Sequence, residues 1–207
     1  MKKNIYPSKG EQDIKRVIVV TGTPGVGKSS VSKILSSKIN SLLISLSELI
    51  RGEKLYCGVD KERDTLIADL DKVSKRVQEI ILSSDRDVII EGHLAPYVVP
   101  PERVTIAFVL RREPEDLKHI LESRNYNERK VAENIAAEVL DVCLYDAINR
   151  FGIERVCEID VTSRGADEVV QEILDVLNGL RERKVGVVDW LGKLEKEGKL
   201  KEYLKDF

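Results

Sequence analysis

The stretch Val17-Ile18-Val19-Val20-Thr21-Gly22-Thr23-Pro24-Gly25-Val26-Gly27-Lys28-Ser29-Ser30 decides the fold. Its first four residues form a continuous apolar run, the pattern of a strand buried on both faces. Gly22 to Ser29 match G-x-x-x-x-G-K-[ST], and behind them Val31, Ile34, Leu35 and Ile39 recur at helical spacing. Strand, glycine-rich turn and helix in that order are the setting in which such an octet cradles phosphate. Glycines let backbone N–H groups close around an anion, and the new helix adds its positive end. The expected triphosphate site therefore comprises Gly25, Val26, Gly27, Lys28, Ser29 and Ser30, with Lys28 reaching the β- and γ-phosphates and the Ser29 hydroxyl on Mg²⁺.

Working outward, five short apolar runs read as strands: residues 16–21, 42–45, 87–91, 105–110 and 155–160. Helical stripes separate them. One is Leu66, Leu70, Val73, Val77, Ile80 and Ile81; a second is Val131, Ile135, Val139, Val142 and Ile148; a third is Val169, Val170, Ile173, Val176, Leu177 and Leu180. Alternating strand and helix predicts an α/β protein with three layers, a five-stranded parallel sheet covered by helices on both faces. Ligands then bind beyond the carboxyl ends of the strands. Residues 1–13 read as a flexible leader, 14–180 as the P-loop domain and 181–207 as a helical extension. In that extension Trp190, Leu191, Leu194, Leu200, Tyr203 and Leu204 lie among lysines and glutamates, which predicts one or two amphipathic helices packed on the domain's outside.

Composition excludes several classes. A net charge of −2 with 34% charged residues gives no broad electrostatic grip on nucleic acid, so sequence-specific nucleic-acid binding is not expected. Cys57, Cys143 and Cys157 are odd in number and widely spaced, suggesting neither a disulfide framework nor a zinc site. No apolar stretch approaches the roughly 18 residues of a membrane span. A cytoplasmic location is expected.

The chemistry gathers around phosphate. Glu91 ends the run Asp87-Val88-Ile89-Ile90, where a P-loop protein places the acid that organises Mg²⁺ and its waters. His93 follows two residues later, beside the expected γ-phosphate. Phosphoryl transfer needs positive charge on the moving group, which makes Arg51, Arg111 and Arg124 candidates; Arg112 and Arg129 read as solvated surface. A phosphate monoester acceptor is already largely dianionic at neutral pH, so it needs positioning more than deprotonation. No N-K-x-D segment follows the fourth strand, which argues against a guanine-specific switch, and the chain is short for a ring-forming ATPase with a helical second domain.

These segments together resemble the isoenzyme-6 type of adenylate kinase, a family that includes the coilin-interacting nuclear ATPase and archaeal relatives. The likeness spans about residues 17–159. It is carried by Thr21 to Ser30, by Ile44 to Arg51, by Glu91-Gly92-His93 in place of the family's D-x-H, by Phe108 to Arg111, and by Arg124 to Glu138, which is similar to R-G-Y-x-x-x-K-V-x-E-N-I-x-x-E. Ile120 stands where the family's L-x-x-R-L-x-x-R has its first arginine, and Asn125 where it has glycine. The resemblance implies two small mobile lobes: residues 45–68 for a nucleoside monophosphate, with Arg51 as its arginine, and residues 123–133 as a lid over ATP, with Arg124. It implies catalytic roles for Lys28, Glu91, His93 and Arg124, metal contacts at Ser29 and Glu91, and Mg²⁺-dependent conversion of ATP and AMP to two ADP with an ATPase side activity. It further implies a small-subunit ribosomal protein as partner and a part in small-subunit maturation. The alternative is a nucleotide-gated ribosome-assembly chaperone whose kinase turnover is incidental.

Overall fold

Apolar runs and helical stripes alternate along the chain because the strands of a central parallel sheet are covered on both faces, as a computed structural model describing residues 15–204 displays. The expected leader, residues 1–13, lies outside the described residues. In chain order the elements are β1 (Val17–Thr21), α1 (Lys28–Ile39), β2 (Leu42–Ser45), α2 (Leu46–Gly52), β3 (Tyr56–Asp60), β4 (Thr65–Ala68), α3 (Leu70–Ser83), β5 (Val88–Glu91) and α4 (Ala95–Val98). They continue with β6 (Ile106–Arg111), α5 (Pro114–Ser123), α6 (Glu128–Val139), α7 (Val142–Phe151), β7 (Val156–Asp160), α8 (Ala166–Leu177), α9 (Trp190–Lys196) and α10 (Leu200–Tyr203).

The five-stranded sheet runs β2-β5-β1-β6-β7, with every pairing parallel. All five strands read from the sequence form, each within one residue of its expected ends. Alternation along β1 divides the core in two. Ile18 and Val20 point to the side covered by α1, α6 and α8, whereas Val17 and Val19 point to the side covered by α3, α4 and α7. Strand order reverses at β1, between β5 and β6, so a crevice opens beyond the carboxyl end of β1. The P-loop occupies that crevice.

Two expectations need correction. Leu66 belongs to β4 of a separate antiparallel hairpin with β3, so the helical stripe assigned to it begins at Leu70, after Asp69 caps α3 by accepting from the Lys72 N–H. The stripe from Val131 to Ile148 is two helices: Asp141 takes a left-handed φ of 58° and breaks it between α6 and α7. Its carboxylate is held there by Arg111. The C-terminal extension forms two short helices as expected, and their apolar residues are absorbed by the fold: Trp190, Leu194 and Tyr203 are buried, the last two in the core layer under α6 and α8. No helix among the described residues is long and apolar enough to cross a membrane.

Burial makes the energetics of this layer testable. Ile173 is fully buried on α8, and truncation to alanine is expected to cost about 2–5 kcal/mol, seen as a lower denaturant midpoint in equilibrium unfolding. Leu180, 78% exposed, is the control: its alanine variant should stay within about 0.5 kcal/mol of wild type.

Candidate active site

The turn after β1 is built by close approach. Gly22 has φ 131°, and a Cβ there would lie 2.4 Å from the Leu110 carbonyl oxygen of β6, so any side chain would push the loop off the sheet. At the other end Gly27, with φ 107°, caps α1 without any side-chain bond to the first turn. Those N–H groups stay available to an anion at the positive end of a twelve-residue helix. Lys28 is buried and folds back over the loop, its ammonium donating to the carbonyls of Gly22 at 2.8 Å and Thr23 at 2.9 Å. Burial lowers its pKa from the ordinary lysine value, while negative groups around it, Glu91 and Glu138 among them, oppose the shift.

Parallel pairing brings a carboxylate to the loop. Glu91 ends β5 beside β1, and the register places Ser45, the last residue of β2, directly opposite it. The Glu91 carboxylate accepts from Ser45 Oγ at 2.8 Å and from Ser29 Oγ at 3.2 Å, and the residue is only 5% exposed. Ser45 is a site residue the sequence reading did not single out. Its signal was the register of two strand ends. Hydroxyl and carboxylate oxygens are donors that suit a hard cation such as Mg²⁺. Among the described residues there is no cluster of three or more His, Cys, Asp or Glu that could hold a metal.

Ser30, His93, Arg51 and Arg124 border the same cleft as Lys28, Ser29 and Glu91. Its volume, about 950 Å³, is at the upper end of small-molecule sites. Arg51 enters from the last turn of α2 and Arg124 from the end of α5, both exposed to the cleft. His93 is accessible from the open cleft and otherwise flanked by protein. Burial, then the Lys28 ammonium, push its pKa down to about 4, so the imidazole is neutral at pH 7. Gly25 and Gly27 also line the cleft, while the Val26 side chain points away into the core and leaves only its backbone to the loop.

The segments 45–68 and 123–133 meet across the cleft mouth. Arg63 at the hairpin turn makes a two-pronged pair with Glu133 at 2.8 Å, Arg129 reaches Glu62 at 2.7 Å, and Lys130 donates to Thr65 Oγ1 at 2.9 Å. Arg129, read as solvated surface, is thus one side of an ion pair that bridges the two segments. Lys130 also lies 4.4 Å from the centre of the Tyr126 ring, a cation–π contact on the cleft wall.

Arg111 is not in the cleft. It is 1% exposed and bonded to Glu138, Glu158 and Asp141. Arg112, read as solvated surface, is instead largely buried: its side chain is 16% exposed, its Nε has no hydrogen-bond partner, and its guanidinium meets Asp116 only at 3.8 Å.

A family profile described as "AAA domain" matches residues 18–141. A "Putative adenylate kinase" of Methanocaldococcus jannaschii is 39% identical over 176 residues, covering 85% of this chain and 93% of that protein. Another of the same name, from Methanosarcina barkeri, is 42% identical over 184 residues, covering 84% and 97%. Among solved structures, a shikimate kinase from Bacteroides thetaiotaomicron superposes with a TM-score of 0.51 at 16% identity, over 79% of this chain and 98% of that one, a likeness of fold.

The lowered His93 pKa has a signed consequence. The unfolded chain binds the His93 proton more readily than the folded one, so this residue's contribution to stability is complete above about pH 6.5 and is lost as pH falls toward 4. Denaturant midpoints across that window should fall more steeply in wild type than in His93→Gln and run parallel above it; parallel curves throughout would contradict the assignment.

Proposed function

Because the chain belongs to the P-loop family of the archaeal "Putative adenylate kinase" proteins, we propose that it transfers the γ-phosphoryl group of ATP to AMP, giving two ADP. One observation supports this reading most: three cations from three elements, Lys28 on α1, Arg51 on α2 and Arg124 after α5, border a single cleft at the carboxyl edge of the sheet. A donor triphosphate in the loop and an acceptor phosphate at Arg51 would face each other there.

In this reading an oxygen of the AMP phosphate forms the new bond to the γ-phosphorus, the bridging bond to ADP breaks, and the bond electrons leave with ADP. Dianionic AMP supplies its own nucleophile, so no residue is needed to take a proton. Catalysis then rests on positioning and on opposing the spread negative charge. Lys28 leaves its carbonyl partners for the β- and γ-phosphates, Arg124 covers the donor from residues 123–133 as a lid, and Arg51 fixes the acceptor in the lobe 45–68. Ser29 and Glu91 would hold Mg²⁺, which when bound neutralises phosphate charge. The lobe-to-lid ion pairs would exclude water. Where water reaches the γ-phosphate instead, neutral His93 would orient it and ATPase activity results.

A second reading, nucleotide-gated action on a small-subunit ribosomal protein during subunit maturation, draws on the same cleft. Pull-down with small-subunit proteins tests it: capture that changes with ATP supports the reading, and capture indifferent to ATP contradicts it.

A coupled assay should register ADP formation that depends on AMP, and its absence under conditions where ATP binds would contradict the kinase reading. Lys28→Met is expected to lower both kinase and ATPase rates by about 10²- to 10³-fold. Arg51→Ala should raise the KM for AMP by about ten- to a hundredfold while leaving that for ATP close to wild type, the loss expected for one charge-assisted bond. His93→Ala should cost the ATPase more than the kinase; equal losses would remove the water-orienting role.

A further inference from the structure

One buried carboxylate outside the cleft binds both the donor loop and the C-terminal segment. Glu138, near the end of α6, is 1% exposed and has both oxygens engaged. Its Oε2 accepts from the hydroxyl of Thr23, the second residue of the P-loop octet, at 2.5 Å. Thr23 is fully buried, and its own carbonyl is one of the two that hold the Lys28 ammonium. The other oxygen, Oε1, accepts from Arg111 Nε at 2.8 Å, from the Arg112 N–H at 3.1 Å and from the indole N–H of Trp190 at 3.3 Å.

Trp190 opens α9, beyond the segment that leaves α8. That segment has a second attachment to the same guanidinium. Arg111 Nη1 donates to Glu158 Oε1 at 2.6 Å, and the opposite oxygen of Glu158 accepts from the backbone N–H groups of Gly186 at 2.6 Å and Val187 at 2.8 Å. Residues 186–190 are therefore tied to Arg111 through Glu158 and to the P-loop through Glu138. Charge links the two sides as well: Arg111 pairs with three carboxylates, and the charge of one of them, Glu138, acts on the Lys28 ammonium.

We propose that Glu138 is a positioning residue for the donor loop, and that through it residues 186–190 are coupled to ATP binding. The Thr23–Glu138 bond fixes the loop residue whose carbonyl parks Lys28, and thereby the loop shape that the triphosphate meets. Displacement of the Trp190 segment turns the carboxylate and loosens that shape. Coupling of this kind is reciprocal, so ATP must in turn change the surroundings of Trp190. The inference rests only on the donor half of the reading above, ATP on the P-loop, whatever accepts the phosphoryl group.

Trp190 is the single tryptophan of the chain, so its emission reports the coupling directly. Binding of ATP with Mg²⁺ is measured by calorimetry well below the unfolding temperature of each variant. Thr23→Val, which keeps the shape and removes the donor, should weaken ATP about tenfold, and Thr23→Ser should restore it to within about twofold of wild type. Trp190→Phe should weaken ATP about threefold, with AMP binding unaltered in all three variants. Saturating ATP should change Trp190 emission in wild type, and the change should vanish in Thr23→Val at saturating ATP. A merely structural cluster predicts lower unfolding temperatures with ATP affinity within about twofold of wild type, and that result overturns the proposal. So does wild-type emission indifferent to ATP. A wild type that binds ATP without AMP-dependent turnover removes the acceptor assignment and leaves this coupling standing; one that does not bind ATP removes both.

Discussion

A single guanidinium at the end of β6 determines how three distant parts of the chain meet. Arg111 is withdrawn from water, which is tolerable only because its nitrogens find carboxylates on α6, at the α6–α7 break and on β7. Each partner has a structural consequence. Asp141 is drawn into a left-handed conformation that ends α6. Glu158 offers its other oxygen to the backbone at residues 186–187, which seats the C-terminal segment beside β7. Glu138 is turned toward Thr23 and so toward the phosphate loop. Loss of Arg111 would leave Glu138 and Glu158 as buried carboxylates without their cation, so these residues depend on it.

Around the loop the same physics is used in the opposite sense. Lys28, Arg51, Arg63, Arg124 and Lys130 line a cleft whose acids are Asp64, Glu91 and Glu133, an excess of positive charge suited to a polyanion. Lys28 is held on two carbonyls rather than by a carboxylate, an arrangement a phosphate can displace by offering a stronger partner. The ion pairs between the hairpin and α6 are solvent-exposed and therefore individually weak. Weak contacts of that kind can close a cleft over substrates without trapping the products.

The sheet and the phosphate loop were legible in the sequence because their signals are local. A strand buried on both faces is a continuous apolar run, and the glycines of the octet are demanded by φ values and by a carbonyl 2.4 Å from where a Cβ would be. The hairpin at residues 56–68 was not legible. Its strands are short and half-exposed, Tyr56-Cys57-Gly58-Val59 shows no clear alternation, and Leu66 falls in phase with the helix that follows. The α6–α7 break was hidden for another reason: the apolar stripe runs straight through it, and what stops the helix is a bond from Arg111, thirty residues earlier. Arg111 itself was weighed as a phosphate ligand from its place after a strand. Only burial distinguishes an arginine that faces the cleft from one that faces the core. Ser45 reaches Glu91 through strand register, and the Thr23–Glu138 bond is a tertiary contact between residues far apart in the chain, neither of which a single stretch of sequence encodes.

In the proposed reaction one cleft receives two nucleotides, with the donor on the P-loop and the acceptor at Arg51. A crystal structure with two adenosines joined by five phosphates tests it most directly. The expected result is one inhibitor per chain, with Lys28, Arg124 and Arg51 all bonded to a single phosphate chain and an adenosine on either side. A structure in which the second adenosine lies outside the cleft and Arg51 makes no phosphate contact would contradict it.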